Sequence, residues 1–205
     1  MKFSMGDPMA ITMNDKVLSE AFGPTEGTAK IAKDVALVIA GIALMTLAAK
    51  IRVPMWPVPI TMQTFGALTV GAVLGARLGL FALVGYLALG MLGLQVFTGD
   101  SAGLAYMAGP TAGYLVGFVA AAGVMGVLAR RGWDRSFAHM AGAMLIGNAV
   151  IYLFGMPWMA YLFLADNGAA WVFQYGMGNF LVGDALKLVL AALVVPGLWK
   201  LLGSK

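Results

Sequence analysis

The sequence has no cysteine, one histidine and few charges: its 205 residues include 13 Lys and Arg and 9 Asp and Glu, so charged residues make up 11%. The first absence excludes disulfides and thiol chemistry and says nothing of compartment. No His or carboxylate cluster has metal-ligand spacing, and no basic-aromatic face points to nucleic acid. The shortage of charge is the informative one, because about a quarter of the residues of a soluble domain are charged. Hydrophobic residues fill the space at 61%, and the mean hydropathy is +0.88. The chain is therefore an integral membrane protein. Its 28 Gly and 15 Met suit closely packed transmembrane helices, since small residues let backbones approach where no hydrophobic effect acts between helices.

Residues 1–30 lack the basic start, apolar core and cleavage site of a secretory signal. They read as a cytoplasmic arm with a short surface helix, for which Asn14 and Asp15 offer caps. Residues 31–205 read as one transmembrane domain. Apolar runs near the length needed to cross about 30 Å of hydrocarbon lie at 34–50, 61–76, 78–96, 109–129, 137–163 and 177–200, which predicts an all-α bundle of six transmembrane helices. The second run is short and moderately polar, and Gly75, Ala76 and Arg77 separate it from the third as a tight helical hairpin.

Six spans put both termini on one side. Ten Lys and Arg fall in the N-terminal arm, at Arg77, in "RRGWDR" and at the C-terminus, against Lys50 and Arg52 in the other set of loops. The positive-inside rule then makes the termini cytoplasmic. The outward connections are 51–60, 97–108 and 165–176, rich in Pro, Gly and aromatics and nearly free of cations; loops of that kind form lids and binding surfaces. No internal repeat of the kind common in secondary transporters is evident.

Two motifs suggest enzymes and fail on context. "GDSAG", Gly99 to Gly103, matches the Gly-x-Ser-x-Gly nucleophile elbow, but the sole histidine, His139, follows the basic connection on the opposite face of the membrane. "GLWKLLGSK" lacks the Gly-Lys-[Ser/Thr] order of a phosphate loop, so the chain does not hydrolyse ATP by that route. Small residues at every fourth position, Gly71, Gly75 and Gly79, then Gly109, Gly113 and Gly117, mark helix-packing faces, chiefly internal ones. On the first span Ala36 and Ala40 share that spacing and form a candidate surface for a partner protein.

The last span carries the costliest residues. Asp184 and Lys187 stand at i and i+3, on one helical face, about seven residues and so about 10 Å into the span. Each costs roughly 2.5–3.5 kcal/mol at a helix centre on insertion scales. One reading is a structural ion pair. A buried pair is a weak stabilising device, however, and fits better where a third polar partner or a ligand completes its hydrogen bonding. The favoured reading is a binding site open to the outer face. Gln63 and Thr64, Thr111 and Tyr114, and Tyr152 could join it from the outer half of the bundle, with Gly99 and Tyr106 from the second outward connection. Asn148, near mid-span, suits an interhelical hydrogen bond. Trp56, Trp158, Trp171 and Tyr175 read as interfacial anchors, with Trp56 and Trp171 the better pocket walls. The residues alone stop at a small polar solute.

"VPITMQTF", "GPTAGY" and the Gly-Asp-x-x-Lys signature of Gly183, Asp184 and Lys187 resemble the BioY family, the biotin-specific membrane components of energy-coupling-factor (ECF) transporters. The similarity runs from the first span to the C-terminus. Gln95 and Val182 stand where family members often carry proline-containing sequence, and Ala112 where glycine is usual; none touches the Asp-Lys pair. The resemblance implies an ECF S-component-like six-helix bundle without enzyme activity or cofactor, in a bacterial cytoplasmic membrane. Biotin would be the transported ligand, held under the first and third outer loops with Asp184 and Lys187 as the polar floor. The partners implied are a transmembrane coupling protein and two ATPase subunits. The alternative is a secondary transporter of another small vitamin-like solute, working without a motor.

Overall fold

A computed structural model describes residues 16–202 of the chain; the caps expected at Asn14 and Asp15 lie outside them. Helix α1 spans Gly27–Lys50, about 36 Å at 1.5 Å per residue. It ends at Lys50, with Ile51 already extended (φ −82°, ψ 99°), ahead of Val53, whose place before Pro54 disfavours helical backbone. The chain then makes a two-residue antiparallel pairing of β1 (Arg52–Val53) with β2 (Ile60–Thr61), which closes the first outward connection. Helix α2 follows (Gln63–Met91), then a 3-10 turn at Leu104–Ala108, α3 (Ala112–Arg130) and α4 (Phe137–Asn167). The short α5 (Ala169–Gly176), a 3-10 turn at Gly178–Phe180 and α6 (Leu181–Leu202) complete it.

Among the described residues, five helices are long and apolar enough to cross a membrane, one fewer than the six expected. The difference lies in α2. At Gly75 its backbone leaves the helical region (φ 78°, ψ 170°), a conformation essentially reserved to glycine. The chain doubles back there. Gln63 Nε2 donates to the Tyr86 hydroxyl at 2.9 Å, a contact that 23 residues of straight helix, about 35 Å, would forbid. A Cβ on Gly79 would sit 3.2 Å from the Gly71 Cα. The hairpin expected at Gly75–Arg77 is thus present, but its first leg has only about 12 residues, about 18 Å, too short to count as an independent full-length span.

The glycine spacing faces inward, as read. A Cβ on Gly113 would lie 2.5 Å from Trp158 Cβ, and one on Gly117 2.9 Å from the Ile151 carbonyl oxygen, so α3 meets α4 backbone to backbone. Gly71 and Gly126 press in the same way on Ala122 and Ala76, joining α2 to α3. Met45, Leu68, Leu83, Met125, Met144 and Met159 are fully buried between these helices. By contrast only 17% of the most apolar window of α1 is buried, against 56% for α2 and 67% for α3, which leaves α1 with an open face. Ala36 and Ala40 are exposed on it.

Two further segments pack on this frame. Residues 16–22, within the arm, are docked on the bundle and carry a 3-10 turn at Leu18–Glu20. Val17 is 0% exposed and packs on Gly75, where the missing side chain makes room, and Leu18 is buried beside it. Ser19 Oγ donates to the Leu74 carbonyl (3.4 Å), Lys33 Nζ donates to the Ser19 and Phe22 carbonyls, and Arg130 pairs with Glu20 at 2.7 Å. The third outward connection, expected as a loop over 165–176, is helical: α4 continues to Asn167, Gly168 turns the chain with φ 81°, and α5 buries Val172 and Gly176.

Candidate functional site

Helix α6 begins at Leu181, so Asp184 lies in its first turn. A carboxylate there is favoured by the positive end of the helix dipole, which offsets part of its burial cost. One turn later Lys187 presents its ammonium on the same side: Lys187 Nζ donates to Asp184 Oδ1 at 3.1 Å. Both are buried, at 8% and 6% exposure. From α4, the Tyr152 hydroxyl donates to Asp184 Oδ2 at 2.5 Å. Tyr152 is steadied by an edge-to-face contact with Tyr114 of α3 (6.4 Å, 85°), whose own hydroxyl donates to the Gly176 carbonyl at 2.6 Å.

These groups line a cavity of about 520 Å³, its mouth included. Thr61, Gln63 and Thr64 come from β2 and the head of α2, Thr111 from the N-cap of α3 and Tyr114, Leu115 and Phe118 from α3 itself, Asn148, Ile151 and Tyr152 from α4, and Asp184 and Lys187 from α6. Val58 and Pro59 of the first connection and Phe180 before α6 enclose it. The Gln63 side chain is oriented by a relay: Thr61 Oγ1 donates to Gln63 Oε1 (3.1 Å), Gln63 donates to Tyr86, and Tyr86 donates to the Val96 carbonyl (3.1 Å). Trp56, Phe163 and Trp171 meet in one aromatic cluster (centroids 5.3–5.9 Å apart) that ties the first connection to α4 and α5.

Six of the eight sequence-derived binding candidates therefore share this cavity: Asp184, Lys187, Gln63, Thr111, Tyr114 and Tyr152. Two do not line it. Tyr106 stacks on Phe97 (4.8 Å) and lines a neighbouring groove that shares Pro59 and Thr111 with the cavity. Gly99 is held away by cations: Lys50 Nζ donates to the carbonyls of Gln95 (2.7 Å), Phe97 (3.0 Å) and Gly99, and the Arg52 guanidinium lies over Gly99. Residues underrated in sequence are Val58, Pro59, Phe118, Ile151 and Phe180, whose apolar character carries no signal of a cavity. Asn148, read as an interhelical bond, instead lines the cavity with Oδ1 unpartnered. His139, the residue a serine nucleophile would need, sits in the first turn of α4, its ring at 2.7 Å from Ser136 Oγ, at the far end of that helix from the outward connections.

The site's chemistry follows from its unspent hydrogen bonds. A carboxylate has about four acceptor positions and an ammonium three donors. Asp184 receives two bonds and Lys187 gives one, so both keep capacity toward the cavity. Asn148 Oδ1 is buried without a hydrogen-bond partner, and Thr111 Oγ1 has only the Tyr106 side chain near it, short of a well-formed bond. Buried polar groups are nearly always satisfied, so a wall carrying four incompletely used groups has hydrogen-bonding capacity to offer a polar guest.

Comparison with known proteins supplies the lineage. The model of the BioY family matches residues 14–204. A probable biotin transporter BioY of Pyrococcus horikoshii is 38% identical over 167 residues, covering 82% of this chain and 96% of that protein. The biotin transporter BioY of Thermotoga maritima is 37% identical over 167 residues, with 80% and 96% covered. The crystal structure of the S-component for biotin from an ECF-type ABC transporter superposes with a TM-score of 0.71 at 23% identity, covering 86% of this chain and 95% of that one, and so shares the fold. Five membrane-capable helices in an S-component bundle, and a match over nearly the whole length to one family, have a single consequence: this chain is a multi-pass membrane protein of the BioY family.

Proposed function

We propose that the chain captures biotin from the outer side of the cytoplasmic membrane and delivers it inward as the substrate-binding component of an ECF-type transporter. The observation that carries this reading is the unspent acceptor and donor capacity of Asp184 and Lys187 inside one cavity. Biotin's ureido ring offers two N–H donors beside one carbonyl acceptor. Asp184 accepts from a ureido N–H and Lys187 donates to the ureido carbonyl, while Thr111, Asn148 and Gln63 stand within the same wall for the remaining polar atoms. Apolar Phe118, Ile151 and Phe180 suit the sulfur ring and the methylene chain. Tyr152 and Tyr114 orient the carboxylate, Tyr106 meets ligand only at the entrance, and Gly99 shapes the loop there.

No chemical step is involved, and net transport requires two states that differ in affinity for biotin. Partner ATPases supply the energy, engaged through a transmembrane coupling protein on the open α1 face at Ala36 and Ala40; the match to the BioY family and the exposure of that face support this reading. Cations concentrated at the ends where 16–33, Arg77 and 130–135 meet support cytoplasmic termini.

The test is binding of labelled biotin by the purified chain, competed with other vitamins, followed by uptake in vesicles with and without a coupling module. Saturable one-to-one binding that only biotin competes, and uptake that needs the module, are expected. Sodium- or proton-driven uptake by the chain alone would replace this reading with a secondary transporter.

A further inference from the structure

At the end of the bundle assigned above to the cytoplasm, where the N-terminal segment docks against the turn of α2, lies a second, open cavity of about 1150 Å³, its mouth included, which shares no lining residue with the first. Five cations, Lys16, Lys30, Lys33, Arg77 and Arg130, line it against two carboxylates, Glu20 and Asp34. Both carboxylates are spent: Asp34 pairs with Lys30 at 2.7 Å and Glu20 with Arg130. Lys33 is committed to backbone carbonyls. The Arg77 guanidinium and the Lys16 ammonium engage no hydrogen bond or ion pair among the described residues. Positive charge is left over, and it faces a shared space.

That space has an apolar neighbour. At Asp34, Arg77 and Leu78 it continues into a groove between α1 and the second leg of α2, walled by Ile31, Val35, Ile39 and Phe81, all exposed. From Ile31 to Ile39 the wall runs about 12 Å toward the membrane interior. A cationic chamber at headgroup level that opens into an apolar channel at acyl-chain level matches one molecule of the surroundings. We propose that this is a bound-lipid site for an anionic glycerophospholipid of the cytoplasmic leaflet. Arg77 and Lys16 hold its phosphate, and Ile31, Val35, Ile39 and Phe81 hold one acyl chain. Basic pockets between transmembrane helices on the cytoplasmic side bind such headgroups through the same combination of charge and enclosure. The site touches two parts that must stay in place, the docked residues 16–22 and the turn at Gly75, so the lipid acts as a clamp on that end of the bundle.

The experiment is native mass spectrometry of the delipidated chain titrated with phosphatidylglycerol or phosphatidylcholine, on the wild type and on Arg77→Gln/Lys16→Gln, with thermal melts to show that the variant is folded. One phosphatidylglycerol should be retained by the wild type in preference to phosphatidylcholine. At about 1 kcal/mol per surface cation its affinity should fall roughly 30-fold in the double variant, with Arg77→Lys in between. Phe81→Ala should weaken the lipid but not glycerol 3-phosphate, which lacks the chain. Equal retention of both lipids, no loss in the double variant, or displacement of the lipid by inorganic phosphate at the same concentration would overturn the proposal. So would a dimer that lipid disperses and Phe81→Ala abolishes, since a second copy would then be the occupant.

Discussion

Removing charges at Asp184 and Lys187 separates a structural ion pair from a ligand site, because the two roles assign opposite results to the fully apolar replacement. Lys187→Met leaves a carboxylate buried at 8% exposure with only the Tyr152 hydroxyl on it. Breaking a buried pair in this way costs about 3–5 kcal/mol. Adding Asp184→Leu removes the orphaned charge but strands the Tyr152 hydroxyl, a residual cost of about 1–3 kcal/mol. The triple variant with Tyr152→Phe strands nothing and should return to wild-type stability or above it, since apolar replacement of a whole buried network is often neutral or stabilising. Thermal melts of the detergent-purified chain read this ladder, and titration calorimetry with biotin reads binding on the same samples. The triple variant should be folded and blind to biotin. The single Lys187→Met should already lose a charge-assisted hydrogen bond of about 1.5–3 kcal/mol, roughly 10- to 150-fold in affinity. Wild-type binding by the triple variant would refute the site, and single substitutions costing under about 1 kcal/mol would refute the burial on which the ladder rests.

Three other expectations test the frame around the site. Gly126→Ala drives a methyl into the backbone of Gly75 and Ala76, so it should destabilise by about 1–3 kcal/mol or more and lower the yield of folded protein; a neutral melt would show that α2 and α3 are not in backbone contact there. Lys50→Ala releases three carbonyls of residues 95–99, and hydrogen exchange in that loop should rise while α2 and α3 stay protected; unchanged exchange would show that the lysine is not the tether. Asp134, buried in the connection before α4, has its carboxyl pushed above the usual range by burial, against the opposing pull of the Trp199 N–H that donates to it at 2.6 Å and of Arg135. The folded chain therefore keeps that proton to higher pH than the unfolded one, and stability falls as pH rises from the ordinary carboxyl range through the raised value, then levels. Asp134→Asn, which keeps an oxygen for Trp199, should gain on the wild type over that window; a wild type that gains on the variant with rising pH would reverse the sign.

Legibility in the sequence followed the range of the interactions. Asp184 and Lys187 could be placed together because i and i+3 on a helix is a local relation, and their cost inside an apolar run marks them without any neighbour. Tyr152, Tyr114, Gln63 and Thr111 could be nominated by depth, but that Tyr152 donates to Asp184, 32 residues away, depends on how α4 crosses α6. The second outward connection was less legible for a physical reason: Gly99 and Tyr106 belong to a polar, glycine-rich loop beside the cavity rather than in its wall, and its direction is set by Lys50, nearly fifty residues earlier. The first leg of α2 looked like a span because its residues are apolar, whereas the positive φ at Gly75 and the return to Tyr86 make it half a hairpin. Val17 and Leu18 sit among charged neighbours and read as surface, whereas the bare Gly75 backbone receives Val17 and Leu18 is buried beside it.

A structure of the chain crystallised with biotin tests the central assignment most directly. The expected result is the ureido ring within hydrogen-bond distance of Asp184 and Lys187, below Val58 and Pro59, with Tyr152 still donating to the carboxylate. Biotin seated in the groove at Tyr106, or an Asp184–Lys187 pair left untouched by the bound ligand, would contradict it.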